Sequence, residues 1–358
     1  MNLLFYAPQM APFGGMERHV CNLAGVLSTR GHHVVLLTTS NSLAPQLRQQ
    51  LATNGVTLRE LPVRRGAAGK LRKGIWLLRE AARTERVHWD LIYTSGQSGL
   101  APVAWLAGRP QTRIVHHHHT AGDRLEQATW SGVFRHVLQR APEIVACSRA
   151  TQHELARALR RSDVRFLPYL TSPAIDASAV RDRTRSPNMR LHFGFLGRLV
   201  PEKGIDQICA LSRRPDLADI SWHLHGEGSR YPAAHFQPYP NIAFHGPFVD
   251  GAGHAEILQR LDALVLFSTH NEGMPLSLIE AMAAGLPWIA SDRGGTRELA
   301  VSPANAIVVG DPANLDQLAA AVRRLAGNIR DGRTSRLVQR RAYDWLFSPP
   351  AVAEAWCS

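Results

Sequence analysis

Apolar residues open the chain as an unbroken run, Leu3, Leu4, Phe5, Tyr6 and Ala7, which predicts a strand buried on both faces. A Pro/Gly loop follows to Gly15. Val20, Leu23, Ala24 and Leu27 then recur at i, i+3, i+4 and i+7, the stripe of an amphipathic helix. Gly31 stands where a helix C-terminal glycine belongs, and Val34, Val35, Leu36 and Leu37 form the next strand. Strand, helix and strand within some thirty residues signal a parallel pair. The rhythm continues through strands at 91–93, 114–115 and 144–146.

A second series begins near Leu191. Its strands are predicted at 192–196, 222–225, 242–245, 263–267, 288–290 and 307–309, with helical patterns at 276–284 and 315–325. Between the series, 168–187 holds Thr171, Ser172 and Pro173 and a polar, basic stretch at 181–185, the composition of a linker. The fold class expected is α/β: two Rossmann-like parallel domains facing a central cleft. The first is expected over 1–175 and the second over 186–342. The tail 343–358 reads as a helix broken by Pro349 and Pro350 and is expected to pack back on the first domain.

A 45% hydrophobic and 20% charged composition is that of a globular chain. No stretch nears the ~20 apolar residues that cross a bilayer. The opening residues lack a basic segment and meet Pro8 at once, so no signal peptide is expected. Cys21, Cys147, Cys209 and Cys357 are scattered, which fits a reducing compartment and a cytoplasmic location. Charge is uneven. Residues 1–185 carry 25 Lys/Arg against 12 Asp/Glu, and residues 186–358 carry 16 against 17. The first half therefore offers a positive field to an anionic partner.

The densest chemistry lies at Glu272-Gly273-Met274-Pro275-Leu276, with Glu280 beyond. Glu272 falls at the carboxyl end of a strand, where open α/β sheets bind ligands. Gly273 admits a close backbone approach, and Pro275 is read as the first helical residue, leaving N–H groups free for an anion. Glu280 lies one turn in and leans back toward the helix start.

Glu272 and Glu280 resemble the Glu-x7-Glu pattern of retaining GT-B glycosyltransferases of family 4. Gly14-Gly15-Met16-Glu17 resembles that family's Gly-Gly-x-Glu loop, and Gly197 to Gly204 its Gly-Arg-Leu-x-x-x-Lys-Gly segment. Gly226 and Gly228 resemble its Gly-x-Gly turn, and Gly294 to Leu299 its Gly-Gly-x-x-Glu-Leu stretch. Five motifs in the family's order cover nearly the whole chain. The resemblance implies a metal-independent hexosyltransferase without a cofactor. Its donor would be a UDP- or GDP-sugar and its acceptor a saccharide or lipid-linked saccharide of cell-surface polysaccharide or lipopolysaccharide synthesis. Glu272 would hold the donor sugar and Glu280 the ribose. Arg198 and Lys203 would neutralise the leaving diphosphate, since the chain has no Asp-x-Asp to carry a metal. Gly14, Gly15, Glu17, Gly226, Gly273, Met274, Pro275 and Leu276 would line the donor site.

The resemblance also places one histidine of the run His116, His117, His118 and His119 at a strand end facing the donor sugar. Alternation exposes only every second one to a given side, and Thr120-Ala121-Gly122-Asp123 resembles the family's loop beyond that strand, which favours His118 or His119. Adjacent histidines on a strand point to opposite faces, which argues against a metal cluster. Cations at Arg64, Arg65, Lys70, Arg72, Lys73, Arg79 and Arg83 surround Leu71, Ile75, Trp76, Leu77 and Leu78. Such a helix suits an anionic membrane surface, such as the inner face of the cytoplasmic membrane. No RNA-binding or recognition-helix pattern accompanies the charge, so nucleic acid is not expected. Where the family has Pro-Asn-Gly between domains, this chain reads Pro168-Tyr169-Leu170. A noncatalytic sugar-nucleotide-binding protein and a sugar-nucleotide epimerase on the same fold are the alternatives.

Overall fold

The computed structural model describes residues 1–357 except 9, 11–13, 40–42, 62–66, 85, 86, 172–174, 184, 185, 187, 249 and 250, and only the backbone of 67, 70, 84 and 252. Ser172, Pro173 and Arg185 of the expected linker thus lie outside the described residues, as do Arg64, Arg65 and the side chain of Lys70. The chain forms two compact units, Met1–Leu170 with Val352–Ser358, and Thr171–Ala351.

In the first unit the strands are β1 (Asn2–Tyr6), β2 (His33–Thr38), β3 (Thr57–Glu60), β4 (Leu91–Ser95), β5 (Arg113–His118), β6 (Glu143–Ala146) and β7 (Val164–Phe166). They pair in parallel in the order β3-β2-β1-β4-β5-β6-β7. The central strands are apolar on both faces because helices cover both sides. One core gathers Phe5, Val20, Leu23, Leu36, Tyr93 and Val115. Val352, Ala353 and Trp356 of the last helix, Pro349–Cys357, enter the same core. Trp356 is fully buried, and its carbonyl accepts from Arg113 Nη1 at 3.0 Å. Burying side chains such as Val352 and Trp356 is worth about 2 kcal/mol each, enough to hold so short a segment.

The second unit contains β8 (Leu191–Leu196), β9 (Ile220–His225), β10 (Ile242–Gly246), β11 (Ala263–Leu266), β12 (Trp288–Ser291) and β13 (Ala306–Val309). These run parallel in the order β10-β9-β8-β11-β12-β13. The doubly wound order reverses between β8 and β11, and between β1 and β4 in the first unit. Each reversal opens a crevice at the carboxyl ends of the strands.

Three local readings change. β5 runs through His118, so three of the four histidines are strand residues rather than a loop after it. Pro275 is the N-cap, with an extended ψ of 104°, and the helix runs Leu276–Ala283. The tail holds two helices, because Pro349 opens the second instead of merely breaking the first. Residues 343–351 belong to the second unit. Among the described residues no helix is long and apolar enough to cross a membrane.

Candidate active site

In the second unit, the sequence-selected residues come from loops that leave the carboxyl ends of β8, β9, β11 and β12. Backbone contacts tie these loops together. The Leu199 N–H donates to Glu227 O at 2.8 Å, the Thr269 N–H to Glu202 O at 2.9 Å, and the Gly295 N–H to Glu272 O at 3.1 Å. Two glycines make this packing feasible. A Cβ on Gly226, at φ +147°, would lie 1.8 Å from Gly197 O, and one on Gly294, at φ +55°, would lie 1.8 Å from Glu272 O. No side chain fits either place.

Glu272 is 7% exposed. Lys203 Nζ donates to both its oxygens, at 2.6 and 2.8 Å, and Ser268 Oγ donates to Oε1. His270 Nε2 stands 3.8 Å away. Burial acts to raise the Glu272 pKa, but the charge and hydrogen bonds of Lys203 and the hydrogen bond from Ser268 outweigh it, so the pKa is lowered. Glu272 is therefore an ionised, buried acceptor. Lys203 and Glu272, assigned on sequence to phosphate and sugar separately, are bonded to each other. An ammonium has three N–H donors, and two on Glu272 leave one for an anion. Arg198 is exposed in the loop after β8 and pairs with no carboxylate among the described residues, so its guanidinium is available to a phosphate.

The helix Leu276–Ala283 is buried along nearly its whole length, and Glu280 is the one acid within it, at 2% exposure. His254, from the helix Ala252–Arg260, places Nε2 3.5 Å from Glu280 Oε2. Gly273, Met274 and Pro275 lead into this helix, and Met274 and Pro275 are buried. Ser268 and His254 were not singled out from sequence. Ser268 sits at the end of β11 beside the motif, but His254 is on another helix and no spacing rule links it to Glu280.

In the first unit Gly14 caps the helix Gly15–Thr29 with extended backbone and no side-chain cap, leaving its first N–H groups to other acceptors. Glu17, 6% exposed, folds back so that a Cβ on Gly14 would lie 2.1 Å from its Oε2. At the end of β5 the histidines alternate. His116 and His118 face Phe134 and Trp130. His117 and His119 face His19, Tyr169 and Tyr93. Burial takes His19 and His116 down to about 3 and holds His117 and His119 well below the usual histidine range, so all four are neutral. Tyr169, at the point where the chain departs from Pro-Asn-Gly, hydrogen-bonds His119 Nδ1, and the neighbouring Leu170 N–H donates to His19 Nδ1 at 2.8 Å. Among the described residues no group of three His, Cys, Asp or Glu is arranged to hold a metal ion.

Two family sequence models match this chain, Glycosyltransferase Family 4 over residues 13–169 and Glycosyl transferases group 1 over 190–328. The chain belongs to the group 1 glycosyltransferases. A GDP-mannose-dependent alpha-mannosyltransferase of Mycolicibacterium smegmatis is 32% identical over 176 residues, 49% of this chain and 42% of that one. The phosphatidyl-myo-inositol mannosyltransferase of Mycobacterium tuberculosis is 26% identical over 347 residues, 93% of this chain and 90% of that one. Among solved structures, HepE of Anabaena in complex with UDP and glucose has the same fold, with a TM-score of 0.74 at 17% identity over 99% of this chain and 98% of that one. The architecture of this family member is GT-B.

Proposed function

We propose that the protein transfers a hexose-type sugar, with retention of anomeric configuration and without a metal, from a nucleoside diphosphate donor to a saccharide or lipid-linked saccharide. The observation that carries this reading is the second unit's assembly of Glu272, Lys203, Arg198, Gly226 and Glu280 around the reversal between β8 and β11. As the bond to the sugar breaks, negative charge grows on the diphosphate. Arg198, the remaining Lys203 N–H and the start of the helix at Leu276 meet it. Positive charge grows on the sugar, and ionised Glu272 stabilises it while accepting from a hydroxyl. Glu280 accepts from the ribose. The leaving phosphate takes the acceptor's proton, so no protein base is required. The first unit supplies Gly14 and Gly15 to the donor and one of His118 and His119 to its sugar, and it binds the acceptor.

The names of the two mannosyltransferases support a GDP-linked hexose and a lipid-linked acceptor as the first pair to test. A membrane surface is the partner proposed for the helix Ala67–Thr84. Leu71, Ile75 and Leu78 lie on one face of it at 67%, 43% and 48% exposure, flanked by exposed Arg72 and Arg79. The site we propose would work at the inner face of the cytoplasmic membrane, in polysaccharide or lipopolysaccharide synthesis.

The test is a thermal-shift panel of UDP-, GDP- and ADP-sugars in excess chelator, because a bound nucleotide raises stability by mass action. One nucleotide should stabilise the parent protein. Glu280→Gln should bind the bare nucleoside diphosphate about fivefold to tenfold more weakly, since a hydrogen bond to a charged acceptor exceeds a neutral one by ~1–1.4 kcal/mol. Glu272→Gln should bind it almost normally. Equal affinity in all three proteins removes Glu280 from the site.

A further inference from the structure

The four consecutive histidines differ in what their ring nitrogens touch. His116 and His117 are fully buried, with Nδ1 held by Thr94 Oγ1 at 3.1 Å and by the Tyr93 hydroxyl at 3.0 Å. His119 has both nitrogens engaged, Nε2 with the Tyr93 hydroxyl at 3.1 Å and Nδ1 with the Tyr169 hydroxyl. It has no ring nitrogen left for a ligand. His118 uses Nε2 alone. That atom lies 3.0 Å from Glu126 Oε1 and 3.1 Å from Thr120 Oγ1, and no contact occupies Nδ1 among the described residues.

Glu126 comes from the helix Arg124–Thr129, just beyond the end of β5. Besides His118, its Oε1 accepts from Thr120 Oγ1 at 2.6 Å, Gln97 Nε2 at 3.2 Å and Trp130 Nε1 at 3.2 Å, and its Oε2 accepts from the Gly122 N–H at 2.6 Å. Burial acts to raise its pKa. The hydrogen bond and charge of His118, with the bonds from Thr120 and Gly122, outweigh that and bring it down to about 2. Glu126 is thus a fixed, ionised acceptor, and an ionised carboxylate cannot donate. An ionised acceptor 3.0 Å away requires a hydrogen on His118 Nε2, which leaves Nδ1 as the ring nitrogen with no protein partner among the described residues.

We propose that Glu126 is a positioning residue for His118, fixing its Nε2–H tautomer so that Nδ1 accepts a hydrogen bond from a hydroxyl of the transferred sugar. The assignment rests on the donor-sugar reading above and selects His118 over His119. Carboxylates that fix the tautomer of a working histidine recur in metal sites and catalytic triads. Here the same device serves an uncharged ligand group.

The experiment is long-range 15N–1H NMR of the His118 ring at neutral pH, in the parent protein and in Glu126→Gln, paired with steady-state kinetics. The parent should show protonated Nε2 and bare Nδ1. Glu126→Gln, whose amide can donate as well as accept, should show a mixture of tautomers. Its kcat should fall by about tenfold to a hundredfold, as when the partner orienting a functional histidine is lost. Nucleoside diphosphate affinity should stay within about twofold, and the loss should not add to that of His118→Ala. A purely structural Glu126 would leave tautomer and kcat unchanged in any variant that folds. The proposal is overturned by an Nδ1–H tautomer in the parent, a measurement that needs no variant, or by an unchanged kcat in Glu126→Gln. A parent that cleaves no sugar nucleotide contradicts the transferase reading instead, and the tautomer still decides the contact.

Discussion

Lys203→Met should destabilise the second unit by about 2–4 kcal/mol. Lys203 Nζ lies 2.6 and 2.8 Å from the two Glu272 oxygens, and the side chains are 19% and 9% exposed. At an effective dielectric of about 20, the gross attraction at this separation is roughly 6 kcal/mol, most of it offset by the cost of taking both charges out of water. Removing only the cation cancels the attraction but leaves the carboxylate buried. Breaking a buried pair from one side costs about 3–5 kcal/mol. Ser268 still donates to Glu272, and Lys203 is partly wet, so the cost lies at and just below the lower end of that range, about 2–4 kcal/mol. Glu272→Gln should cost less, because the freed ammonium can turn to solvent. The double variant should match Glu272→Gln alone, so the coupling in a double-mutant cycle should equal the whole Lys203→Met cost, about 2–4 kcal/mol. Urea unfolding of the four proteins at pH 7 measures it. The gap between parent and Lys203→Met should also close in acid. A carboxylate with a lowered folded pKa contributes stability above its unfolded value near 4.3, and loses it as pH falls through the folded value. A Lys203→Met protein within about 0.5 kcal/mol of the parent, the level of an ordinary surface substitution, would refute the pairing argument.

Three further outcomes follow from the same contacts. Gly226→Ala should cost about 2–4 kcal/mol in urea unfolding, because its Cβ would meet the Gly197 carbonyl at 1.8 Å and its φ of +147° strains any L side chain. Stability should fall as pH drops from about 6.5 toward 3. His19 and His116 have folded values near 3, below their unfolded ones, so the unfolded chain binds the extra protons, at about 1.4 kcal/mol per pH unit for each histidine; a flat profile across that window in chemical denaturation would contradict it. Vesicles containing anionic lipid should sediment the protein, and Leu71→Ser with Leu78→Ser should weaken that; equal sedimentation by neutral vesicles would point away from the basic helix.

Most of the sheet framework was legible because buried parallel strands are continuous apolar runs. The 3–7, 34–37, 192–196 and 263–267 segments all proved to be strands within a residue or two. β3 and β7 were not. Thr57–Glu60 is polar and partly exposed, and Val164–Phe166 is three residues long, so neither edge strand carries a pattern. The site was legible where its residues are local. Gly226, Glu272, Gly273 and Glu280 sit at strand ends or helix starts that hydrophobic periodicity locates. What could not be read was which side chains pair. Lys203 and Glu272 are 69 residues apart, and Glu280 meets His254 from a different helix. Periodicity gives each element's place but no distance between side chains of different loops. The four histidines show the same limit: alternation separates the two faces, but only the positions of Tyr93, Tyr169 and Glu126 show that His119 has both ring nitrogens engaged and His118 one.

The proposed reaction is transfer of a sugar from a nucleoside diphosphate to an acceptor without a metal. The protein should be incubated with UDP-glucose, UDP-galactose, GDP-mannose and ADP-glucose in excess chelator, with and without a lipid and oligosaccharide extract, and the released nucleoside diphosphate measured by chromatography. Release from one donor should rise with the extract, with the sugar appearing in a product of the donor's own anomeric configuration. Release abolished by chelator and restored by magnesium or manganese, inversion at the transferred carbon, or an epimerised sugar nucleotide with no transfer would contradict it.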